Sequence, residues 1–435
     1  MSSTITFSRS VQVQYDVDIC IAGGGPAGIA AAIAASRNGA SVFLGEACGC
    51  FGGLGTSGLV PAFCGVGNGR DFLGGPICRE VLDRIQAPPG ELEREFTFIN
   101  VENLKRTYDE MMEKSGALYA LDVRLIDVVK DESGRLTEAI FSDDSDRGLF
   151  AVRAKVFIDA TGNGDLAAWA GAQYEQGNDR GVPMPSTLCT LWNDVNWDEY
   201  HAAHPNIERL LFTAIDDGMF TVHDYHHSGM FHVGACRAGG NFTHSFSLRA
   251  NDHASKTRGW LELRQRVQEY QAFYRKYVPG FQNAELAVTA SQLGIRECRR
   301  ILGEYRMTLE DFRNRASFQD EIGRFAYPVD IHPLDDSMEE FQRFKRDFLS
   351  NLRYGYGESY GIPYRALLPK GTVNILTAGR CISADQPMAA SVRVMPGCFL
   401  TGQAAGCAAA IAAQNHDGIL RSVDIQTLRK SIAGL

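Results

Sequence analysis

The sequence predicts an α/β fold in which a Rossmann-like nucleotide-binding domain is interrupted by an inserted α+β domain. Three observations predict it. A strand, glycine turn, helix and strand follow one another near the amino terminus, a similar strand and small-residue helix return near the carboxyl terminus, and an aromatic segment separates them. The chain has 435 residues, 45% of them hydrophobic, which is enough for two or three domains with buried cores.

The amino-terminal unit begins with a short apolar run over 18–22, which we interpret as a buried strand. An alanine-rich helix over 30–35 and a second apolar strand over 42–44 follow. A strand, a helix and a strand in this order predict a parallel pair joined by a crossover helix.

The turn between the first strand and the helix has the spacing G-x-G-x-x-G at Gly23, Gly25 and Gly28. Gly23 allows the sharp turn, Gly25 lets a diphosphate approach the backbone, and Gly28 lets the helix pack close to the sheet. The helix start offers free N–H groups to phosphates. Glu46 is placed to accept hydrogen bonds from ribose hydroxyls and disfavours a 2′-phosphate. This stretch alone leaves FAD and NAD open.

Further elements follow the same alternation. Periodicity predicts a helix over 101–114, strands over 117–127, 135–141 and 149–152, and a buried strand over 155–159 that ends in Ala160, Thr161 and Gly162. The strands over 135–141 and 149–152 are expected to form a hairpin.

The middle of the chain is richer in aromatic residues, His and Arg. A stripe of large apolar side chains predicts a helix over 256–277, and Ser337 with Glu340 has the pattern of a capping box that begins another helix. Such stripes are typical of a core, which indicates a separate packed unit.

The carboxyl-terminal segment returns to the nucleotide-binding pattern, with a strand over 373–377 and a small-residue helix that begins near Met395. We therefore expect residues 1–185 to form the first part of the nucleotide-binding domain, with a small inserted subdomain near 65–115. Residues 186–365 would form the substrate domain, and residues 366–435 would complete the nucleotide-binding domain.

Charge and composition exclude several function classes. The net charge of −9 gives no support for nucleic-acid or anionic-membrane binding. The first residues lack the apolar core of a signal peptide, and the apolar stretch 395–413 contains Pro, Gly and Gln, so we expect a buried helix and no membrane span. Eleven scattered cysteines suit reduced thiols in a cytoplasmic protein. Cys48 and Cys50 are interpreted as small loop residues, with a redox or flavin-attaching thiol as the alternative.

Three glycine-containing segments favour a flavin. Gly52 and Gly53 allow the backbone to run beside an isoalloxazine ring, whose polar edge the Thr56 hydroxyl could reach. The sequence Ala160-Thr161-Gly162 ends a strand, and Gly379-Arg380 follows another. The helix that begins near Met395 would direct its positive end at the flavin and stabilise negative charge on the reduced ring.

At these residues the chain resembles the FAD-dependent oxidoreductase family of the glutathione-reductase type, second subclass, which is distantly related to fumarate reductase and succinate dehydrogenase flavoproteins. The stretches that carry the resemblance are GGGPAGIAAAIAA, FGGLGTSGLV, IDATGNGDLA, SQLGIRECRRILGEY, YPVDIHP, IPYRALLP and AGRCISADQPMAASVRVMPGCFLTGQAAG. The resemblance implies bound FAD, a discontinuous FAD domain and an inserted substrate domain, but no single substrate. The positions expected to contact the cofactor are Gly23, Gly25, Pro26, Ala27, Gly28, Glu46, Ala47, Gly52, Gly53, Thr56, Val123, Ala160, Thr161, Gly162, Gly379, Arg380, Val394 and Met395.

Four residues are candidates for the chemistry. Arg296 lies in the stretch GIRECRR, His332 follows the YPVDI strand, Arg365 follows the IPY turn, and Arg393 precedes the helix that begins near Met395. An arginine can hold a carboxylate or a developing oxyanion, and a histidine can carry a proton. Each also has a structural alternative, because Arg365 and Arg393 could pair with buried carboxylates and His332 could merely end a strand.

Two neighbouring groups are assigned no catalytic role. Arg299 and Arg300 are expected on a helix with Arg296, where they would be ion-paired or solvated. Four histidines lie between residues 223 and 232, but their spacing matches no standard metal set, so we predict no metal site.

The sequence therefore predicts an FAD-dependent oxidoreductase that transfers a hydride between a small polar molecule and FAD. A flavin monooxygenase and a non-catalytic flavin-binding redox or assembly protein are the alternatives. No second Rossmann fingerprint is present. The substrate, the direction of reaction, the electron acceptor, covalent attachment of FAD and homo-oligomerisation all stay open.

Overall fold

The computed structural model describes residues 5–86, 96–144 and 148–435. Its strands are β1 Gln12–Ala22, β2 Val42–Gly45, β3 Ala62–Cys64, β4 Phe96–Phe98, β5 Leu118–Ala120, β6 Arg124–Lys130, β7 Leu136–Ser142, β8 Leu149–Asp159, β9 Tyr174–Glu175, β10 Thr190–Asn193, β11 Met230–Gly234, β12 Arg237–Gly240, β13 Glu285–Thr289, β14 Arg300–Ile301, β15 Glu321–Phe325, β16 Tyr360–Pro363 and β17 Ile375–Thr377. Its helices are α1 Pro26–Arg37, α2 Pro76–Arg84, α3 Val101–Ser115, α4 Asp165–Trp169, α5 Trp197–Ala203, α6 Ile207–Asp216, α7 His253–Tyr277, α8 Leu309–Arg313, α9 Met338–Arg346, α10 Gln386–Val392, α11 Met395–Asn415 and α12 Ile425–Ala433.

The largest sheet contains a parallel core in the order β5-β2-β1-β8-β17. Because these strands are parallel, their carboxyl ends lie at one edge of the sheet. The inner strands have continuous apolar runs, as expected for strands that are covered on both faces. The predicted α/β Rossmann-like fold with an inserted domain is confirmed.

Strand β8 joins the two ends of the chain. Its first half pairs with β7 in an antiparallel hairpin, and its last residues pair with β17 in parallel. The predicted hairpin is confirmed, whereas the two strands predicted over 149–152 and 155–159 are one continuous strand. A carboxyl-terminal strand therefore lies in the same sheet as the amino-terminal strands.

Helices α1 and α11 pack together with their backbones in contact. A Cβ atom at Gly402 would lie 2.1 Å from the Ala27 carbonyl oxygen, and one at Gly406 would lie 2.2 Å from the Ala31 carbonyl oxygen. Helix α11 is the one described helix long and apolar enough to cross a membrane, and its apolar window is wholly buried inside the fold. The expectation of a buried helix is confirmed.

A second sheet, ordered β11-β12-β10-β13, belongs to the middle of the chain. Its core is aromatic and includes Trp192, Phe242 and Tyr270, with the last from the predicted helix α7. Helix α7 begins after Asp252, whose side chain accepts a hydrogen bond from the Ser255 N–H. This capping residue places the start of the helix a few residues before the predicted 256–277.

Three local predictions need correction. The strand predicted over 117–127 is two strands, because β5 extends the parallel core while β6 pairs with β7 on the other side. The arginines of GIRECRR lie in an irregular segment that ends in β14, not on a helix. At the start of α9, Ser337 accepts from the Glu340 N–H as predicted, but the Glu340 carboxylate accepts from the Leu334 N–H instead of completing a capping box.

Candidate active site

A cavity of about 640 Å³ lies at the carboxyl edge of the parallel sheet. This is the edge at which open α/β sheets bind their ligands. The cavity brings together predicted residues from distant parts of the chain. Those that line it are Gly23, Gly25, Pro26, Ala27, Glu46, Ala47, Gly53, Val123, Ala160, Thr161, Gly162, Arg296, His332, Gly379, Arg380, Arg393, Val394 and Met395.

The turn after β1 shows why three glycines are needed. Gly23 has φ of +99°, and a Cβ there would lie 2.5 Å from the Ala160 carbonyl oxygen. At Gly28 a Cβ would lie 1.8 Å from the Gly23 carbonyl oxygen, so this glycine allows the helix to contact the turn. At Gly25 a Cβ would meet no described atom within 4 Å, because this residue faces the open cavity. Backbone N–H groups in the first turn of α1 therefore border the cavity.

Glu46 closes the turn from the neighbouring strand. Its Oε2 accepts a hydrogen bond from the Gly24 N–H at 2.5 Å, and its Oε1 accepts one from the Cys48 N–H at 2.8 Å. Burial raises the pKa of Glu46, although these backbone bonds act in the opposite direction. The carboxylate is thus held in one orientation beside the cavity, with lone pairs left for a further donor.

Three predicted cofactor positions do not line the cavity. Gly28 contacts the turn, as described above. A Cβ on Gly52, whose φ is +104°, would lie 2.6 Å from both Thr56 Cγ2 and the Tyr108 ring. The Thr56 hydroxyl donates to the Phe51 carbonyl at 2.5 Å, so it holds the glycine loop and does not reach a ligand's polar edge as predicted.

The carboxyl-terminal segments supply another wall. The half-buried Arg380 donates to the Ile295 carbonyl at 2.6 Å and to Asn163 Oδ1 at 3.3 Å. Helix α11 begins at Met395, so the unpaired N–H groups and positive end of its first turn face the cavity. This agrees with the helix start expected near Met395.

Arg296 is a buried cation without a carboxylate partner among the described residues. The residue is 6% exposed, and its guanidinium donates to the Pro185 carbonyl at 2.8 Å and to Asn241 Oδ1 at 3.3 Å. Burial, together with the positive charge of Arg393, lowers its pKa to about 10. A buried charge that has only neutral partners is costly, so the site favours an anion.

Arg393 and Asp330 form an ion pair in the same wall. Arg393 Nη2 lies 3.3 Å from Asp330 Oδ2, while the buried Arg393 Nε has no hydrogen-bond partner in the described part of the chain. Although burial alone would raise the pKa of Asp330, His332, Arg393 and Arg296 hold it below its usual value. The pair places a guanidinium and a carboxylate together in the cavity wall.

His332 lies in a row of buried polar side chains that sequence reasoning missed. Its Nδ1 lies 2.8 Å from His244 Nε2, and His244 Nδ1 lies 2.8 Å from Asp224 Oδ2. His332 Nε2 lies 3.2 Å from Asp330 Oδ1. Burial, followed by the charge of Arg296, lowers the pKa of His332 to about 3. The sequence signal for this row was limited to the closeness of Asp224 to the histidines at 223–232, because His244 and His332 come from distant segments.

The remaining histidines of the 223–232 group separate. His226 lines the cavity beside His332, with a ring-centroid distance of 4.7 Å. His227 bonds to the Tyr274 hydroxyl, and His232 stacks on Trp197. Burial lowers the pKa of His226 well below its usual value and that of His227 to about 4.

Three buried histidines present one nitrogen each within 4.8 Å of one another, namely His226, His244 and His332. Two nitrogens bound to one tetrahedral ion at about 2.1 Å would lie about 3.4 Å apart. The 2.8 Å between His244 Nε2 and His332 Nδ1 is shorter and matches a hydrogen bond. The geometry therefore favours a shared proton over a shared metal ion.

Arg365 is not part of this site. It pairs with Asp320 at 2.9 Å on the protein surface, where its side chain is 49% exposed. The structure therefore favours the ion-pair alternative at this position over the catalytic one. Arg299 pairs with Asp165 and Arg300 with Glu297, in agreement with the ion-paired interpretation of both residues.

One family model of known proteins covers nearly the whole chain. A family model described as FAD dependent oxidoreductase matches residues 18–432. No curated protein matches the chain. Among solved structures, a geranylgeranyl bacteriochlorophyll reductase-like protein from Thermoplasma acidophilum is 13% identical, with 96% of this chain and 82% of that chain covered and a TM-score of 0.47. A p-nitrophenol 4-monooxygenase from Pseudomonas putida DLL-E4 is 10% identical, with 97% and 84% covered and a TM-score of 0.40.

Proposed function

The chain belongs to the FAD-dependent oxidoreductase family, and we propose that it oxidises or reduces a small organic anion held by Arg296 and Arg393 beside His332. It is an enzyme whose cofactor is FAD. When bound, FAD exchanges a hydride with the substrate carbon, and the protein orients that carbon, steadies its charge and moves a proton. The observation that carries the proposal is the buried guanidinium of Arg296, which has no carboxylate partner among the described residues.

The cavity residues fit an FAD molecule. Gly25 leaves open space where a Cβ would stand, next to the N–H groups of the first turn of α1, and this suits the diphosphate. Glu46, held by the Gly24 and Cys48 N–H groups, is placed for ribose hydroxyls. The first turn of α11 at Met395 would face the pyrimidine part of the flavin. These assignments, with the other cofactor positions that line the cavity, are part of the proposal.

The proposed roles of the chain's own groups follow from their surroundings. Arg296 would bind a carboxylate or an oxyanion, because its guanidinium is buried and offers donors with no competing carboxylate. Arg393, tied to Asp330 through one nitrogen, would add its positive charge to the wall beside Arg296. His332 would accept or return the proton that accompanies hydride transfer. An alcohol or carbon–carbon dehydrogenation of a carboxylate-bearing molecule matches these groups best.

The subclass of the family, the domain boundaries and the cellular location are also proposals. The sequence motifs support the glutathione-reductase type, second subclass, with distant kinship to fumarate reductase and succinate dehydrogenase flavoproteins. The division into 1–185, 186–365 and 366–435 is supported by the pairing of β17 with β8 and by the separate aromatic core of the middle segment. Cytoplasmic location stays a prediction.

The test is anaerobic reduction of the purified yellow protein by pooled sugars, polyols, hydroxy acids and amino acids. We expect an acid to bleach the flavin. We expect Arg296→Gln to raise the half-saturating concentration of that acid at least tenfold. Arg365→Gln, which changes a surface arginine outside the cavity, is the matched control and should behave as wild type. Bleaching by neutral sugars alone, or equal losses in both variants, would contradict an anion site at Arg296. Hydroxylated product formed with NAD(P)H and oxygen would instead indicate the monooxygenase.

A further inference from the structure

We propose that the substrate is an aromatic carboxylic acid, whose ring packs against an aromatic column formed by the side chains of His226, Phe344 and Phe348. The inference deepens the proposed function and rests on it for the anion site at Arg296. All three rings of the aromatic column line the cavity that also contains Arg296. The inference names the chemical class of the body to which the bound carboxylate is attached.

The aromatic column begins beside the polar wall of the cavity. The ring centroids of His226 and His332 are 4.7 Å apart. The centroids of His226 and Phe344 are 4.2 Å apart, and those of Phe344 and Phe348 are 5.0 Å apart with the ring planes at 14°. Phe344 is buried, whereas Phe348 is half-buried. An aromatic surface therefore extends from the neighbourhood of His332 to the more exposed ring of Phe348.

The inner end of the aromatic column also lies close to the anion site. Burial lowers the pKa of His226 well below its usual value, and the positive charges of His332, His244 and Arg296 act in the same direction. His226 is therefore a neutral ring near pH 7, which offers an aromatic face and not a further cation. Because the interaction between charges weakens with distance, the effect of Arg296 places it in the neighbourhood of His226. One small molecule can thus contact both the guanidinium and the aromatic column.

Phe348 belongs to an irregular turn at the cavity. Helix α9 ends at Arg346, and the chain continues as a single π-helical turn over Asp347–Asn351. Such turns are rare and occur frequently at functional sites. The rings of Phe344 and Phe348 stack across the junction between the helix and this turn, and both line the cavity. The local backbone therefore supports a role for Phe348 at the ligand site.

The aromatic column belongs to the middle segment of the chain, whereas the expected cofactor positions belong to its two ends. None of those positions lies between residues 186 and 365. FAD held at the sheet edge would therefore leave the column to the substrate. A second half-buried aromatic pair, Phe96 and Phe231, lines the same cavity with ring centroids 5.8 Å apart. Aromatic rings attract one another in offset-stacked and edge-to-face arrangements, so these walls favour an aromatic body over a short aliphatic one.

The test is the affinity of the oxidised holoenzyme for acetate, phenylacetate and phenylacetamide, measured by isothermal titration calorimetry. Acetate lacks the ring, and phenylacetamide keeps the ring but lacks the charge. None of the three has an alcohol or a saturated carbon–carbon pair to be dehydrogenated, so binding is measured without turnover. We expect phenylacetate to bind at least about tenfold more tightly than acetate, because its ring is buried. It should also bind at least about tenfold more tightly than phenylacetamide, because the guanidinium prefers a carboxylate.

Phe348→Ala removes the outer ring of the aromatic column. We expect this variant to reduce the ratio of the acetate and phenylacetate dissociation constants about threefold or more, with the FAD content of wild type. Phe318→Ala is the matched control, since it removes a half-buried ring that packs on Tyr305 outside the cavity. The control should keep the wild-type ratio.

Three results would overturn the inference. One is equal affinity of wild type for acetate and phenylacetate, and another is the same ratio in wild type and Phe348→Ala. The third is a loss of FAD from Phe348→Ala but not from Phe318→Ala, which would place the flavin against the aromatic column. Because wild type alone decides the first of these, the test survives a variant that does not fold.

The same ligands separate this inference from the proposed function. Equal affinity for phenylacetate and phenylacetamide would contradict the anion site on which the proposed function depends. Flavin reduction gives a second readout, in which 3-phenyllactate should half-saturate at a lower concentration than lactate. If lactate reduces the flavin and 3-phenyllactate has no advantage, the aromatic class is wrong and the proposed function stands.

Discussion

At the residue scale, Glu46 illustrates how one side chain couples the fold to the ligand. Both of its oxygens accept backbone N–H groups, one from the turn after β1 and one from the loop after β2. Because the carboxylate is buried, losing either bond would leave an unpaired N–H group inside the protein.

We therefore expect Glu46→Gln to weaken FAD binding about tenfold or more. The NH₂ group of glutamine would face one of the two backbone N–H groups, so that two donors would oppose each other. The substitution would also replace a carboxylate oxygen that can accept from the ribose hydroxyls. The dissociation constant can be measured by adding FAD to the deflavinated protein. Glu132→Gln, on the exposed turn after β6, should bind as wild type, and equal affinity in both variants would contradict the role of Glu46.

Residue positions were predictable where the signal is local. The glycine turn and Glu46 lie within one short stretch, and they meet because a strand and a helix must follow each other there. Asp224 and His244 were missed because their contacts depend on how loops of the middle segment fold over one another. Arg365 was misassigned because its partner Asp320 lies in a different loop, which no periodicity reveals.

At the scale of elements, the contact between α1 and α11 keeps the nucleotide-binding turn in place. Gly402 and Gly406 face the backbone of α1, so any added Cβ must push the helices apart. We expect Gly402→Ala and Gly406→Ala each to lower the free energy of unfolding by about 1–3 kcal/mol. Gly434→Ala, at the end of α12, meets its nearest atom at 3.5 Å and should have little effect in urea denaturation. Unchanged midpoints in all three variants would show that the helices have room to separate.

Long periodic or strongly apolar elements were predicted well, including α3, α7 and the core strands β1, β2 and β17. Boundaries were less accurate. β1 begins earlier than the apolar run because its first residues pair with β8 at the exposed edge, where polar side chains are tolerated. The arginines around Arg296 were expected on a helix, but their guanidiniums are held by scattered partners that suit an irregular segment.

At the scale of the whole molecule, buried neutral histidines make stability depend on pH. Burial keeps the pKa of His227 near 4 and those of His226 and His332 below the ordinary value. In the unfolded chain they titrate near about 6.5. Between that pH and about 4 the unfolded state therefore binds more protons, so stability rises with pH through this window and is lost as the pH falls.

The prediction is a free energy of unfolding that decreases steadily from pH 6.5 to about pH 4 in urea titrations. His227→Gln should reduce the slope of the free energy of unfolding against pH by at most about 1.4 kcal/mol per pH unit, because one proton fewer is taken up on unfolding. His253→Gln changes an exposed imidazole and should leave the slope as it is. A slope that is the same in all three proteins would indicate that His227 is not kept neutral by the fold.

The overall architecture was predictable because its signals repeat. The glycine turn and the apolar strands indicate a parallel sheet, and the returning strand β17 indicates that the chain comes back to it. The substrate was not predictable, because the cavity wall combines the segment after β8, the middle segment and the start of α11, and no short motif encodes their meeting.

The proposed function depends most on one placement, that of the FAD diphosphate in the space in front of Gly25. The decisive measurement is the amount of FAD released per chain from wild type and from Gly25→Val. The backbone at Gly25 is extended and a Cβ there meets no described atom, so the variant should fold while its side chain fills the diphosphate space. We predict about one FAD per wild-type chain and at least tenfold less in the variant, at an unchanged unfolding midpoint of the cofactor-free proteins. Full FAD content in Gly25→Val would contradict this placement of the diphosphate.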